Sequence, residues 1–216
     1  MVETVIFDMD GLLVDSEPLW QRARIEAFGA DRLRWTPADQ ESIMGRSTES
    51  WAAYLAERLE HAYTPEEIIA RVVGQMVSYY RQAVPLMPGA DAVLQRLAPD
   101  FVLGVASGSP RALLEAILER TGWGAFFRVV VSSDDVAHGK PAPDTYLLAI
   151  ERLGVPAERV AVVEDSANGI LAGVAAGAHV IAVPAPYHRP SGDVLARADR
   201  VLPSLDALDA DVLAAL

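Results

Sequence analysis

TVIFDMDGLLVDSEP, residues 4–18, runs an apolar segment, Val5 to Phe7, straight into an acid-rich turn, Asp8-Met9-Asp10-Gly11. Such a run reads as a short buried strand, and the turn sets two carboxylates at its C-terminal end, where open α/β sheets bind ligands. Gly11 lets the backbone bend, so the two side chains need not point to opposite faces. An acid at a strand end can also be a helix cap or a solvated loop residue, so the rest of the chain has to decide.

Outward from this stretch the texture changes twice. From about 16 to 84 the pattern is helical: EPLWQRARIEAFGA, then SIMGRSTESWAAYLAERLEHA, then TPEEIIARVVGQMVSYYRQ. Pro65 after Thr64, with Glu66 and Glu67 following, is a helix start, and Ile68, Ile69, Val72, Val73, Met76 and Tyr80 recur at helical spacing. Beyond Val84-Pro85, strand patterns at 101–106, 129–132, 160–163, 180–183 and 200–202 alternate with helical patterns near 90–98, 110–121, 143–153, 167–176 and 205–215. That alternation predicts parallel strands with right-handed crossovers. The strand at 4–7 belongs with them. The fold class is therefore α/β, a parallel-sheet core formed by 1–15 and 85–216 with an all-helical insert at 16–84. Pro18 and Pro85 mark its two junctions.

The 216 residues, 51% hydrophobic, suffice for one substantial core with a small insert. Without cysteine there is no disulfide or thiolate chemistry, and His61, His138, His179 and His188 have no zinc-type spacing. A net charge of −12, from 30 acids against 18 Lys and Arg, repels nucleic acid. No signal peptide or membrane-length apolar run is expected, which makes a cytoplasmic protein the default.

Three more polar clusters fall at strand ends. Ala106-Ser107-Gly108-Ser109-Pro110 places a hydroxyl and backbone amides before a helix, an anion seat or an ordinary helix start. Gly139-Lys140-Pro141-Ala142-Pro143 holds Lys140 in a proline-stiffened loop, where it is either solvated or a point charge for a phosphoryl group. Val163-Glu164-Asp165-Ser166-Ala167-Asn168-Gly169 brings two further acids. Carboxylates converging without Cys or His suit a hard cation, Mg²⁺, bound by Asp8 and Asp165 side chains and the main-chain carbonyl of Asp10. Asp8 is then a nucleophile toward phosphorus, Asp10 an acid and base, and Ser107 with Lys140 the phosphate clamp. The alternatives are loop-capping acids, or a noncatalytic protein that senses a phosphate ester.

These four clusters, FDMDG at 7–11, ASGS at 106–109, GKPAPD at 139–144 and VEDSANGI at 163–170, resemble the ordered motifs of the haloacid dehalogenase superfamily. The resemblance covers essentially the whole chain. Within the superfamily it is similar to the β-phosphoglucomutase-like group and especially to sugar-phosphate phosphatases such as 2-deoxyglucose-6-phosphatase. It implies a Rossmann-like core closed by a helical cap, the same roles for Asp8, Asp10, Ser107, Lys140 and Asp165, and support of the metal shell by Glu164. Two departures argue for hydrolysis over mutase activity. Trp20 stands where the mutase has a His, and Thr48 where it has a phosphate-binding Arg, although Arg46 is close by. The mutase's cap Lys also lacks a clear counterpart in 71–80. Arg46 and Glu49 are candidates to read the sugar phosphate, or are a plain loop and helix start. Trp20 and Trp51 form either a wall for a sugar ring or, as helical spacing favours, packing within the cap. Tyr187 and His188 are loop residues or substrate contacts. The expected ligand is a small phosphate ester and the expected state a monomer, with a mutase as the alternative activity.

Overall fold

The structure, a computed structural model, describes residues 1–43, 48–185 and 189–216. Its six strands are β1 (Thr4–Phe7), β2 (Val102–Ala106), β3 (Phe127–Val131), β4 (Val160–Glu164), β5 (His179–Ala182) and β6 (Arg200–Val201). All pair in parallel, in the order β3-β2-β1-β4-β5-β6. Helices α1 (Glu17–Phe28), α2 (Ala30–Leu33), α3 (Pro37–Ile43), α4 (Thr48–Arg58) and α5 (Pro65–Gln82) follow β1 with no strand between them among the described residues. The remainder are α6 (Ala90–Leu97), α7 (Arg111–Thr121), α8 (Asp144–Leu153), α9 (Ala167–Ala175), α10 (Gly192–Leu195) and α11 (Ala210–Ala214).

The central strands are apolar on both faces because helices cover both. Alternation along β1 sends Val5 and Phe7 into one buried cluster and Ile6 into another. On Ile6's side, Val129, Val131, Val160 and Val162 pack with Tyr146, Ala149 and Ile150 of α8 and Ala172 of α9. On the other side, the sheet's apolar residues join the buried stripe of the inserted helices, Trp20, Leu55, Ile68, Val72, Met76 and Tyr80, in one cluster. Within the insert α5 packs on α1 and α4, and it also packs on α7 of the sheet layer. Its first turn is set by a reciprocal capping box between Thr64 and Glu67.

The insert leaves and rejoins the sheet layer side by side. Asp15 N donates to Pro85 O at 2.8 Å, Met87 N donates to Leu13 O at 2.9 Å, and Val14 bridges Leu86 in antiparallel fashion. The two Pro-marked junctions are thus a hydrogen-bonded pair of segments.

Some helix limits differ from those predicted. The pattern at 205–215 breaks into a short turn at Leu205–Ala207 and α11, because the Asp209 side chain caps Val212 N at 2.9 Å and starts a new helix. The pattern running to Ala62 ends at Arg58, where Glu60 and His61 turn to φ 54° and 56°. Helix α3 begins earlier than expected because Thr36 and Asp39 cap each other, Asp39 N donating to Thr36 Oγ1 at 3.2 Å and Thr36 N to Asp39 Oδ2 at 2.8 Å.

Candidate active site

The strand order reverses between β1 and β4, so the crevice of the sheet opens at the C-terminal ends of these neighbours. Asp8 follows β1, and Glu164 with Asp165 close β4. The ladder carries on past the strands: Asp8 N donates to Val163 O at 3.0 Å and Ser107 N to Val131 O at 3.0 Å. Ordinary sheet pairing therefore fixes the backbone under the acids and the serine.

Two glycines make room for the carboxylates. Gly11 has φ 80°, and a Cβ there would lie 2.3 Å from Asp165 Oδ2. The turn it serves is closed by Val14 N to Met9 O at 2.9 Å and Gly11 N to Val14 O at 2.8 Å. Gly169, in the first turns of α9, lies against Glu164 in the same way.

Asp8, Glu164 and Asp165 each offer a carboxylate oxygen, all within 4.8 Å of one another. Lys140 Nζ stands between two of them, 2.5 Å from Asp8 Oδ1 and 2.7 Å from Glu164 Oε1, with Ala106 O at 3.1 Å as its third acceptor. Glu164 is fully buried and saturated: Tyr146 OH donates to Oε1 at 2.7 Å, and Asp165 N, Ser166 N and Ser166 Oγ reach Oε2 at 3.0–3.1 Å. Asp165 Oδ1, by contrast, is buried with no hydrogen-bond partner.

One ammonium faces three buried carboxylates, and the electrostatics follow. Burial raises the Asp8 carboxyl to about 8, with Lys140 opposing and Glu164 and Asp10 adding to the rise. Burial likewise pushes Asp165 well up, reinforced by Glu164 and Asp8. Glu164 stays low despite burial because Lys140, Tyr146 and Ser166 hold its charge, and Lys140 stays protonated despite burial because Asp8 and Glu164 flank it. The unpartnered Asp165 oxygen and the surplus of negative charge suit a hard divalent cation held by oxygen.

Asp10 stands apart from this trio. Its Oδ2 accepts from Ser109 Oγ at 2.8 Å and Ser107 Oγ at 3.1 Å, and its Oδ1 faces Trp20 Nε1 at 3.5 Å. Its side chain is thus not among the three carboxylates that converge at Asp8, Glu164 and Asp165. Ser107 also accepts from Ser109 N at 3.0 Å, and Gly108 is exposed with open space beside it. Arg46, Tyr187 and His188 lie outside the described residues, as does the side chain of Glu49, whose backbone belongs to α4. Trp20 and Trp51 are 8% and 4% exposed with ring centroids 5.9 Å apart, which is the packing arrangement.

Sequence reasoning missed Tyr146 and Ser109. Ser109 sits in a stretch already singled out, two residues past Ser107. Tyr146 lies in the first turn of the helix after the Lys140 loop, and its ring stands 4.6 Å from Lys140 Nζ. A tyrosine at that place carries no signal until Glu164 is brought opposite it.

Residues 2–177 match the haloacid dehalogenase-like hydrolase family, to which the chain therefore belongs, as a phosphatase. Hexitol phosphatase B of Escherichia coli (strain K12) is 34% identical over 84% of this chain and 83% of its own length. A Drosophila melanogaster protein named "Probable pseudouridine-5'-phosphatase" is 36% identical over 93% of this chain and 88% of its own. The crystal structure of CbbY from Rhodobacter sphaeroides in complex with phosphate is similar with a TM-score of 0.85 and 29% identity, over 96% of each chain.

Proposed function

We propose that this chain is a Mg²⁺-dependent phosphomonoesterase acting on a small sugar phosphate through an aspartyl phosphate on Asp8. The observation that carries the reading is the trio Asp8, Glu164 and Asp165 set around Lys140, with an Asp165 oxygen left unpaired. Asp8, Asp165 and the main-chain carbonyl of Asp10 would hold the cation, with Glu164 supporting them. When bound there, Mg²⁺ supplies positive charge against the phosphoryl oxygens.

The residues then divide the work. Lys140, Ser107 and the backbone around Gly108 hold the phosphoryl oxygens. An Asp8 oxygen bonds to phosphorus as the bond from phosphorus to the ester oxygen breaks, and Asp10 delivers its proton to that oxygen. Asp10 then takes a proton from water, which attacks phosphorus and releases inorganic phosphate and Asp8. Ser107 and Ser109, hydrogen-bonded to Asp10, keep that carboxylate beside the reaction.

A sugar phosphate is favoured by the hexitol phosphatase relative. The same reading divides the chain into a core, 1–15 with 85–216, and a cap, 16–84, working as a cytoplasmic monomer without nucleic acid or membrane. No helix among the described residues is long and apolar enough to cross a membrane. The test is release of inorganic phosphate, with and without Mg²⁺, from hexose, pentose, hexitol, glycerol and nucleoside phosphates, with hexose-phosphate isomerisation followed in parallel. Mg²⁺-dependent release from a few sugar phosphates supports the reading. Isomerisation without net release replaces it with a mutase, and binding without turnover replaces it with a sensor.

A further inference from the structure

Tyr146 is fully buried in the first turn of α8, and its ring packs in one cluster with Val129, Val131, Val160 and Val162 of the sheet. From there its hydroxyl donates to Oε1 of Glu164 at 2.7 Å, and Lys140 Nζ lies over its ring, 4.6 Å from the centroid. Tyr146 belongs to none of the four strand-end clusters, yet it meets both partners of the buried Lys140–Glu164 ion pair.

Counting donors and acceptors shows what it does there. Lys140 has three N–H bonds, and Asp8 Oδ1, Glu164 Oε1 and Ala106 O take all three. To hold a phosphoryl oxygen, the ammonium must exchange one of these acceptors. Ala106 O is fixed at the end of β2, and Glu164 is fixed by the donors around it, which leaves Asp8. Asp8 is also the acceptor whose charge passes to the phosphoryl group as its oxygen bonds to phosphorus. Its hold on Lys140 weakens as that of the phosphoryl oxygens grows.

The exchange requires that Glu164 not capture the ammonium. Its Oε2 is occupied by Asp165 N, Ser166 N and Ser166 Oγ, so it cannot grip Lys140 with both oxygens. On Oε1, which has about two acceptor positions, the Tyr146 hydroxyl takes the one that Lys140 leaves. The ring beside Nζ adds an attraction to the cation that needs no particular N–H direction. We infer that Tyr146 is a positioning residue for phosphoryl transfer: its hydroxyl limits the hold of Glu164 on Lys140, so that the ammonium passes from Asp8 to the phosphoryl oxygens. The inference rests on the phosphomonoesterase reading and adds to it a residue that acts through Lys140.

Tyr146→Phe removes the hydroxyl and keeps the ring. The experiment follows phosphate release from p-nitrophenyl phosphate by the full chain with Mg²⁺, and its inhibition by orthovanadate and by inorganic phosphate. Loss of a residue that orients a directly acting group costs about 10- to 100-fold, and kcat is expected to fall by that factor with KM changed less than about three-fold. Orthovanadate, which takes the five-coordinate geometry of the transition state, should lose affinity by the same factor as kcat, and inorganic phosphate by less than about three-fold. The rise in melting temperature on adding Mg²⁺ should be unchanged, because Asp8 and Asp165 keep their places. A lower melting temperature with kcat intact, or a variant that does not fold, would make Tyr146 a packing residue and overturn the inference. Equal losses for orthovanadate and inorganic phosphate, or loss of the Mg²⁺ increment, would overturn it too, the latter by moving the effect to the cation site. Wild type releasing phosphate from neither p-nitrophenyl phosphate nor the wider panel would instead sink the phosphomonoesterase reading itself.

Discussion

A Cβ placed on Gly169 would lie 1.7 Å from Oε1 of Glu164, so the helix after β4 can pass this carboxylate only with glycine at that position. In an open helix, Gly→Ala stabilises by up to about 1 kcal/mol. Here overpacking, at about 1–3 kcal/mol, is the larger effect, and it falls on a carboxylate that holds both Lys140 and Tyr146. Gly169→Ala is expected to lower the melting temperature, by roughly 2–4 °C per kcal/mol for a chain of this size, and to depress phosphate release as Lys140 is displaced. A variant more stable than wild type would refute the steric account.

Asp8→Asn keeps the volume and removes one of three crowded carboxylates. Lys140 retains Glu164 and the Ala106 carbonyl. Phosphate release should fall about 10⁴-fold or more, as for loss of a nucleophile, while the melting temperature moves by less than about 4 °C. Circular dichroism checks the second part, and global unfolding would mean that Asp8 is structural.

Cation binding should be visible without turnover. A ligand that binds only the folded state stabilises it by about 2.7 kcal/mol at a hundred times its Kd. Mg²⁺ should therefore raise the melting temperature of the wild type, and Asp165→Ala should remove most of the increment. An equal increment in both proteins would place the ion elsewhere.

Acid sensitivity within the helical insert should pass through Asp39. Burial alone would raise its carboxyl, but hydrogen bonds from Thr36 and Tyr54 and the Arg58 guanidinium hold it below the ordinary value. A depressed carboxyl contributes stability above its unfolded pKa, about 3.9, and loses it as pH falls through the lower folded value. Asp39→Asn should thus melt below wild type at pH 7, by an amount on the order of 1–3 kcal/mol, and the difference should close below about pH 4. A difference that widens on acidification would reverse the sign.

Much of the core was legible from residue pattern. The strands at 4–7 and 160–164 are short, apolar and bounded by turn residues, and each delivers its acids at the expected end. Helix α5 was legible because Thr64-Pro65 and Glu67 announce its start and its apolar stripe is regular. The failures are places where one side chain outvotes the periodicity. Asp209 cuts the last helix, Thr36 with Asp39 starts α3 early, and α10, Gly192–Leu195, is too short for any period to register.

By itself, the sequence determined the alternation of strands and helices, the acid, serine and lysine clusters at strand ends, and the glycines that let the turns form. These depend on local backbone geometry and on hydrophobic period, which neighbouring residues encode. Tertiary structure alone decided that Ser107 and Ser109 face Asp10, 97 and 99 residues away, and that Lys140 stands between Asp8 and Glu164. It also decided that Arg24 is buried against both Trp20 and Trp51, 5.5 Å from each ring centroid, with Glu17 as its carboxylate. Parallel crossovers bring distant strand ends together, and which side chains then meet depends on packing in three dimensions, for which a one-dimensional pattern holds no signal.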